Sequence, residues 1–384
     1  MASMILRKPV AEHTAIEWTD ATWNPIRGCT RVSSGCGGPG KQGGCYAEQI
    51  AARFSKPGQP FHGFAEMRNG EARWTGKLAL IEDALTLPLR WRKPRKIFVN
   101  SMSDLFHEAL PDSAIDRVFA VMSLCPQHTF QVLTKRPERM REYFAALARD
   151  DRALDGLGRW HAELAPLLGE AVSDEQWEAM LSQDFPLPNV WLGTSCEDQA
   201  TVDERIPHLL QTPAAVRFVS LEPLLGAIDL TKIPVPDDQA GKYAGHGYTF
   251  NALQREDDLT LFNAPAHLDW VIAGGESGQR ARPAHPDWFR SLQKQCEAAD
   301  VPFFFKQWGE WAPIPYGEEG ANPRAGFCHP GGHGAKWPSP EGLGEYGPHW
   351  LQEHGFAHVV KVGKKAAGRL LDGVEHSAFP QVRA

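Results

Sequence analysis

Short apolar runs that each end in a polar cluster recur along the chain, and most are followed by a stretch with helical period. Such a run predicts a strand buried in a parallel sheet, with the helix returning the chain to the next strand. Six strands are predicted in this way: Lys96–Asn100, Thr129–Leu133, Asn189–Leu192, Val216–Val219, Asp269–Ala273 and Val301–Phe305. A further strand is predicted near Ala15–Trp18.

This alternation predicts an α/β fold, a partial or full (β/α) barrel of parallel strands, because consecutive right-handed crossovers close such a sheet. A doubly wound open sheet is the alternative. In both architectures the polar residues that follow the strands meet at the carboxyl edge of the sheet, where ligands bind. We therefore expect the polar clusters to converge on one site.

The barrel is predicted to span residues 1–312, with a helical insertion at about 150–186 and a polar loop insertion at about 227–268. Both insertions are candidate lids or partner surfaces. Residues 313–384 are predicted to form a loop-rich extension packed on the barrel, with a short basic helix at Val362–Leu371.

Composition narrows the class of protein. The 384 residues are 42% hydrophobic and 23% charged, as in an ordinary globular protein. The net charge of −7 argues against nucleic-acid binding by the whole surface, although a local basic groove is compatible with it. No apolar run approaches the roughly 20 residues of a transmembrane helix, and the first residues lack a signal-peptide pattern. A cytoplasmic protein without a membrane segment is expected, and its oligomeric state is left open.

Three of the seven cysteines are clustered. Cys29, Cys36 and Cys45 lie within seventeen residues, and seven glycines stand between Arg27 and Glu48. Cysteine thiolates are the usual ligands of iron–sulfur clusters, and glycines let a loop fold tightly around one. Three ligands leave one iron of a [4Fe–4S] cluster open to a substrate or cosubstrate. The segment therefore predicts a cluster-binding loop.

Zinc and unligated thiols are the alternatives for this segment. Zinc sites usually contain CxxC pairs, and neither such a pair nor a histidine occurs here. Cys125 and Cys296 are predicted to lie in the core, whereas Cys196 follows a strand and could line the cavity. Cys328, His329 and His333 have a loose metal-like spacing, for which a solvated loop is the simpler interpretation.

A series of motifs covers nearly the whole chain: IEWTDATWNPIRGCTRVSSGC, CYAE, MSDLFH, VLTKRPERM, WLGTSCEDQ, SLEPLLG, WVIAGGESG, FFFKQWGEW and KKAAGRLLDG. In this order they resemble a phage-type family of unknown function with a three-cysteine motif, a distant relative of the radical S-adenosylmethionine superfamily. The family pattern has two residues between its second and third cysteines. Here eight residues, GGPGKQGG, separate Cys36 from Cys45, and they can loop out without moving Cys45.

The resemblance implies a radical-SAM-like barrel with a [4Fe–4S] cluster held by Cys29, Cys36 and Cys45. It also implies S-adenosylmethionine as cofactor, bound to the open iron and cleaved by one electron to a 5′-deoxyadenosyl radical. An electron donor of the flavodoxin or ferredoxin type is then expected as a partner. The substrate is unknown, and a nucleic acid or nucleotide is suggested only by analogy with the phage proteins.

Further site residues are predicted from their positions after strands. Ser101, Ser103 and Asp104 are candidates for binding the methionyl amino group, with helix capping as the alternative. Lys135 and Arg136 could neutralise the cofactor carboxylate or a substrate phosphate, with surface salt bridges as the alternative.

Thr194, Ser195 and Glu197 are candidates for the ribose hydroxyls, with capping of the next helix as the alternative. Ser220 and Glu222 follow a strand that is predicted to be buried. Because a buried carboxylate requires a partner or a ligand, Glu222 is a functional candidate.

Gly274, Gly275 and Glu276 form a turn in which the glycines could let the backbone approach a cofactor. Lys306 could contact the substrate, and Trp308 beside it is as well explained by packing at the barrel rim. Three charged residues are expected to be catalytic: Glu222, Lys135 and Lys306.

Two other functions remain open. One is a non-catalytic iron–sulfur or zinc-binding protein that acts with a partner. The other is a metal-dependent nuclease or hydrolase with Asp104, Glu222 and Glu276 on a divalent ion, which needs neither iron nor a reductant.

Overall fold

The computed structural model of the chain describes residues 14–37, 43–149, 157–236, 247–254, 266–315, 325–332 and 348–381. Its strands are β1 (Ala21–Trp23), β2 (Ile26–Arg27), β3 (Ala65–Arg68), β4 (Glu71–Trp74), β5 (Ala79–Leu80), β6 (Lys96–Val99), β7 (Thr129–Thr134), β8 (Val190–Ser195), β9 (Val216–Leu221), β10 (Ile233–Pro234), β11 (Thr249–Phe250), β12 (Trp270–Gly274), β13 (Phe303–Gln307), β14 (Trp311–Pro313), β15 (Ala325–Cys328) and β16 (Ala357–Lys361). Its α-helices are α1 (Tyr46–Arg53), α2 (Glu82–Leu85), α3 (Asp112–Ser123), α4 (Pro137–Ala148), α5 (Leu157–Leu168), α6 (Asp174–Leu181), α7 (Gln199–Leu210), α8 (Pro286–Ala298), α9 (Pro348–Glu353) and α10 (Lys364–Ala367).

Seven strands form one parallel sheet in the order β1-β6-β7-β8-β9-β12-β13. Each strand lies beside the one that precedes it along the chain, so the winding never reverses as it does in a doubly wound sheet. Within the described residues, β1 and β13 are the two edges and do not pair with each other. The sheet is therefore a curled half-barrel, which confirms the partial barrel and excludes the closed barrel and the doubly wound alternative.

The six strands predicted from apolar runs are all present, with bounds that differ by one to three residues. The seventh prediction was wrong: the edge strand is Ala21–Trp23, not Ala15–Trp18. Trp18 instead turns into the concave face of the sheet and packs on Phe98, with ring centroids 4.8 Å apart. The apolar run therefore marked a packing anchor that precedes the strand.

The concave face of the half-barrel carries an apolar cluster. In-register neighbours on parallel strands point to the same side, and this cluster joins Trp191, Phe218, Trp270 and Phe304. Phe379, near the end of the chain, packs on Trp270 with centroids 4.9 Å apart.

The C-terminal segment also bridges the two edge regions of the half-barrel. Phe379 lies 5.6 Å from Phe304 on β13, and the Lys96 ammonium on β6 lies 4.0 Å from its ring. The amide of Phe305 donates to the carbonyl of His376. The C-terminal extension is thus packed on the barrel and covers its concave floor.

The convex face packs against the helices and contains Cys125, Cys196 and Cys296 in its core. Cys196 therefore does not line the concave cavity, because it is one residue out of phase with the inward-facing Ser195. The helical insertion lies outside this layer: Trp160 of α5 stacks on Phe119 of α3 at 5.1 Å. This part of the insertion is not a lid over the carboxyl edge of the sheet.

The remaining predicted segments are smaller. The loop insertion contains the short antiparallel pair β10–β11, while residues 237–246 and 255–265 lie outside the described part. The extension holds a three-stranded antiparallel sheet, β14-β16-β15, and the predicted basic helix is reduced to Lys364–Ala367. No helix in the described ranges is long and apolar enough to cross a membrane.

Gly193 of β8 offers a test of the concave packing. A Cβ on this residue would lie 2.6 Å from the buried Phe218 ring, which is itself packed between other aromatic rings. We predict that Gly193→Ala lowers the free energy of unfolding by about 1–3 kcal/mol through overpacking. Urea denaturation measures this change. Gly226→Ala is the control, because its nearest neighbour would be 3.5 Å away, and equal stability of the two variants would contradict the packing.

Candidate functional site at the carboxyl edge of the half-barrel

Side chains alternate between the two faces of a strand, and this alternation brings several predicted residues together on the concave side. Ser195 and Ser220 pair in register and share the face of Phe218. Lys135, just after β7, donates from Nζ to Ser195 Oγ at 2.6 Å and also contacts the Glu197 carboxylate. The polar residues after β7, β8 and β9 therefore line one rim above the apolar floor.

The rim continues to the last strand of the sheet. Lys306 lies two residues after the inward-facing Phe304 and therefore on the same face of β13. Its ammonium donates to both oxygens of Glu222, at 2.9 and 2.7 Å. The Ser195 hydroxyl donates to the backbone carbonyl of Glu222 at 3.4 Å. The three residues expected to be catalytic, Glu222, Lys135 and Lys306, are thus linked through Ser195 in one polar network.

The three-cysteine loop starts at this same edge. Gly28 bridges to Ser103 after β6, and a Cβ on Gly28 would lie 1.9 Å from the Lys77 carbonyl oxygen, so only glycine fits. The Cys45 amide donates to the Cys36 carbonyl at 3.3 Å. The two ends of the eight-residue segment between Cys36 and Cys45 are therefore held together, as a looped-out segment requires. Residues 38–42 of this segment lie outside the described part.

The sheet edge holds the middle of the loop through Glu197. This carboxylate is fully buried, accepts from Ser33 Oγ at 2.9 Å and is paired with Lys135 and Arg205. A Cβ on Gly35 would lie 2.3 Å from Glu197 Oε1. Glu197 thus holds the part of the loop between the first and second cysteines against the sheet edge.

Glu276 and Arg282 hold the loop on its other side. Their side chains are buried and make two contacts of 2.7 Å, and Arg282 Nη2 donates to the Ser34 carbonyl at 3.0 Å. Gly43 fits against this pair, since a Cβ would approach both side chains to 2.5 Å. The carboxylate of Glu276 is therefore already committed to a structural ion pair.

Asp104 and Arg136 fix the region of the first cysteine. Arg136 pairs with Asp104 at 3.1 Å, donates to Thr30 Oγ1 at 2.8 Å and lies 4.0 Å from Cys29 Sγ. Asp104 also accepts from the hydroxyl of Thr134 at 2.6 Å. Arg136 is itself buried but also forms a salt bridge with the exposed carboxylate of Glu108, so the salt-bridge alternative stays open beside a cofactor role.

The charges of these groups follow from their surroundings. Burial opposes the ionised form of Glu197, yet Lys135 and Arg205 lower its pKa below the usual value. Burial likewise opposes the charged Lys135, and Glu197 raises its pKa. Burial raises the pKa of Cys29 to about 12 and that of Cys45 to about 11, with neighbouring thiols adding to both shifts. Both thiols are therefore protonated at neutral pH without a ligand.

The three thiols are close enough to influence one another electrostatically. Among the described residues, however, no group of three or more His, Cys, Asp or Glu side chains is arranged to hold a metal ion. The cysteines of a cluster each bind a different iron, so they need not surround one point as the ligands of a zinc ion do. The donor set fits an iron–sulfur cluster in its chemistry.

The nuclease or hydrolase interpretation stays a prediction that the ion pairs do not favour. It required three carboxylates on one divalent ion, but each of these groups has its own cationic partner: Asp104 with Arg136, Glu222 with Lys306 and Glu276 with Arg282. In the second metal-like group, Cys328 is buried against the Pro283 carbonyl, and His333 lies outside the described part, so this prediction is not tested.

Other predicted residues have local roles that sequence reasoning did not resolve. Ser101 and Ser103 donate to Asn24 and to the Ile26 carbonyl, and so tie the β6 turn to the start of the cysteine loop. Neither serine caps α3, which begins only at Asp112. Thr194 points away from Ser195, to the opposite face, and donates to the Thr134 carbonyl at 3.0 Å, so one ligand cannot reach both residues from one side.

The glycine turn after β12 is explained by the chain itself. A Cβ on Gly275 would lie 1.9 Å from the Trp308 carbonyl, so the close approach is to β13 and its following turn. Gly274 has only ordinary contacts, with Glu222 and Lys306 at 3.4 Å, and therefore borders the polar network. A cofactor role for these glycines stays a prediction.

Arg205 and Arg282 were missed by sequence reasoning. Each supplies the partner for a buried carboxylate, but Arg205 comes from α7 and Arg282 from the loop after β12. The sequence offered no direct signal for them, because the burial argument was made only for Glu222 and the spacing along the chain does not indicate which cation pairs with Glu197 or Glu276.

Fold and site together define an open α/β half-barrel that carries a three-cysteine loop on the carboxyl edge of its parallel sheet. The sequence matches the family described as protein of unknown function (DUF5131) over residues 13–380. The chain therefore belongs to this family. Neither a curated protein nor a solved structure matches the chain.

Replacement of Glu197 tests whether its ion pairs stabilise the fold. We predict that Glu197→Gln lowers the free energy of unfolding by about 3 kcal/mol at neutral pH, because Lys135 and Arg205 would be left buried without a counter-charge. The folded pKa of Glu197 lies below its unfolded value of 4.5, so its contribution is complete above that value and is lost as pH falls through the folded pKa. Urea unfolding of both proteins at about pH 7 and about pH 3.5 measures the difference.

The difference between wild type and Glu197→Gln should shrink at the lower pH. Glu175→Gln, on the exposed side of α6, is the control and should change stability little at either pH. A difference that is independent of pH would contradict the role assigned to the ionised Glu197.

Proposed function

We propose that the chain is a radical S-adenosylmethionine enzyme that binds a [4Fe–4S] cluster through Cys29, Cys36 and Cys45. One observation carries the proposal: the loop with all three cysteines is held by buried ion pairs at the carboxyl edge of a parallel half-barrel, the edge at which barrel enzymes bind their ligands. When bound, the cluster and S-adenosylmethionine would supply a one-electron cleavage that yields a carbon radical able to abstract hydrogen.

The residues around the loop provide what such a cofactor pair requires from a protein. Lys135 and Ser195 present a cation and a hydroxyl beneath the loop, suited to the carboxylate and amino ends of an amino acid. Glu222 and Lys306 place an acidic and a basic group on the opposite side of the same rim. These groups would orient the cofactor and substrate.

The concave floor would exclude water. Trp18, Phe218 and Trp270 fill the half-barrel below the rim, and Phe379 packs on Trp270 at the solvent side of this cluster. A reactive carbon radical must be kept from solvent, and an aromatic floor with a polar rim suits that task. A nucleotide or nucleic-acid substrate and a cytoplasmic location remain parts of the proposal that only experiment can test.

Anaerobic reconstitution tests the ligands. We predict about four irons and four sulfides per chain in the wild type, and loss of the cluster in Cys29→Ala, Cys36→Ala and Cys45→Ala. Cys296→Ala is the control, because this thiol lies in the core and should leave the iron content unchanged. Metal and sulfide analysis with an absorption spectrum gives the answer. Zinc would overturn the proposal and favour the non-catalytic zinc-binding protein, and no metal under these conditions would overturn both.

Cleavage of S-adenosylmethionine tests the role of Glu222 at the rim. We predict that the reduced wild-type protein converts S-adenosylmethionine to 5′-deoxyadenosine and that Glu222→Gln lowers this rate at least about tenfold, because the charge that pairs with Lys306 is removed. Product is measured by chromatography after dithionite reduction. Glu297→Gln, on the exposed side of α8, is the control and should retain the rate, as Glu222→Gln should retain its iron. An unchanged rate in Glu222→Gln would remove Glu222 from the site.

A further inference from the structure

The helix that begins at the third cysteine exposes a row of large apolar side chains. Tyr46, Ile50 and Phe54 are spaced by four residues, so Tyr46 and Ile50 lie on one face of α1 and Phe54 follows directly at its end. Their exposed fractions are 50%, 38% and 44%. Three adjacent exposed side chains of this size are unusual on a surface without a partner.

This exposure is not needed for packing of the helix. The other face of α1 is buried through Ala47, Ala51 and Ala52, which pack with Ala65 of the β3–β4 hairpin. Glu48, also on the buried face, accepts from the Trp74 amide at 2.9 Å. α1 is thus anchored to the fold by its inner face and by the Tyr46 hydroxyl, which donates to the Ser101 carbonyl after β6. The Ile50 and Phe54 side chains nevertheless stay exposed.

Two further apolar side chains on the segments that pack against α1 are exposed. Met67 is 62% exposed and lies on the same face of β3 as Ala65, the side that meets α1. Val32 is 43% exposed and stands between the first two cysteines, next to Arg31, which pairs with Glu48 on α1. We define the α1 patch as these five residues: Val32, Tyr46, Ile50, Phe54 and Met67.

The segment that carries the α1 patch is basic. Residues 27–80 contain eight Lys and Arg against three Asp and Glu, a net charge of +5, whereas the whole chain carries −7. All three acidic side chains are paired with arginines: Glu48 with Arg31, Glu66 with Arg68 and Glu71 with Arg73. Arg53, Lys56 and Lys77 of this segment are exposed.

We infer that the α1 patch is the docking surface for a small acidic redox protein that delivers electrons to the three-cysteine site. The inference rests on the proposed function and names its partner. An apolar centre that contains Tyr, Phe and Met and has a basic border is typical of a protein interface that attracts an acidic partner. The aliphatic Ile50, Met67 and Val32 favour a protein over a nucleic acid, whose bases stack on aromatic rings.

The position of the patch suits electron delivery. Tyr46 directly follows Cys45, and Val32 lies three residues after Cys29 and four before Cys36. A partner seated on this surface would therefore lie against the loop that holds the thiols. In the transfer, the reduced flavin of a flavodoxin loses one electron and the cluster gains it, without a bond being made or broken in either protein.

Binding to an acidic bacterial flavodoxin tests the surface. The full chain is titrated with oxidised flavodoxin by calorimetry at low and at physiological salt. We expect binding by the wild type that weakens as salt rises, and a loss of affinity of about tenfold or more in Ile50→Asp and in Phe54→Asp, since each change places a negative charge opposite an acidic partner. Leu181→Asp is the matched control, because this side chain is also exposed but lies on α6 in the helical insertion.

Reduction kinetics give a second readout. The rate at which reduced flavodoxin bleaches the cluster should fall about tenfold or more in Ile50→Asp and Phe54→Asp, whereas reduction by dithionite, which needs no docking surface, should be unchanged. Circular dichroism and iron content identify a variant that has failed to fold or to assemble its cluster. Lys56→Glu should slow association with flavodoxin at low salt, and this effect should vanish at high salt.

Several results would overturn the inference. Equal flavodoxin affinity in the wild type, Ile50→Asp and Leu181→Asp would show that the patch is not the interface, as would absence of flavodoxin binding at every salt concentration. Binding of a single-stranded oligodeoxythymidylate that the patch variants alone abolish, without flavodoxin binding, would assign the surface to nucleic acid. If no cluster assembles but flavodoxin binding depends on Ile50 and Phe54, the proposed enzyme activity fails and the docking surface stands.

Discussion

Three buried carboxylates at the carboxyl ends of the strands must each be neutralised by a cation, and this constraint organises the site. Asp104, Glu197 and Glu276 are almost inaccessible to water, where an unpaired charge costs several kcal/mol. Each resulting ion pair also contacts the cysteine loop, at Thr30, Ser33 and Ser34. The loop is therefore held to the sheet by the groups that satisfy the buried charges, although it contains little regular structure of its own.

The open barrel raises a second physical problem, because an unclosed sheet exposes its concave apolar face. The chain covers this face from both of its ends: Trp18 enters before the first strand, and Phe379 packs on Trp270 after the last. The result is a dry aromatic floor beneath a charged rim that contains Lys135, Glu222 and Lys306. These polar side chains lie at the edge of the half-barrel to which the cysteine loop is held.

Much of the fold could be predicted, because buried parallel strands produce continuous apolar runs and most of these runs were followed by a helix. The exception was the edge strand, where the run containing Trp18 was taken for the strand itself. An edge strand of three residues, Ala21–Trp23, is too short to have a pattern of its own. The helical insertion was located correctly but its place on the outer helical layer was not foreseen, since helical period does not indicate which surface a helix will meet.

Sequence by itself determined the three-cysteine loop, the order of the βα units and the set of polar residues that follow the strands. These features are local: they depend on spacing, period and residue type. Only the tertiary structure decided which polar residues face the concave side, so that Ser195 joins Lys135 whereas Thr194 turns to the helices. It also decided that Arg205 and Arg282 neutralise buried carboxylates, because ion-pair partners are selected by distance in space, which neighbouring positions in the chain do not encode.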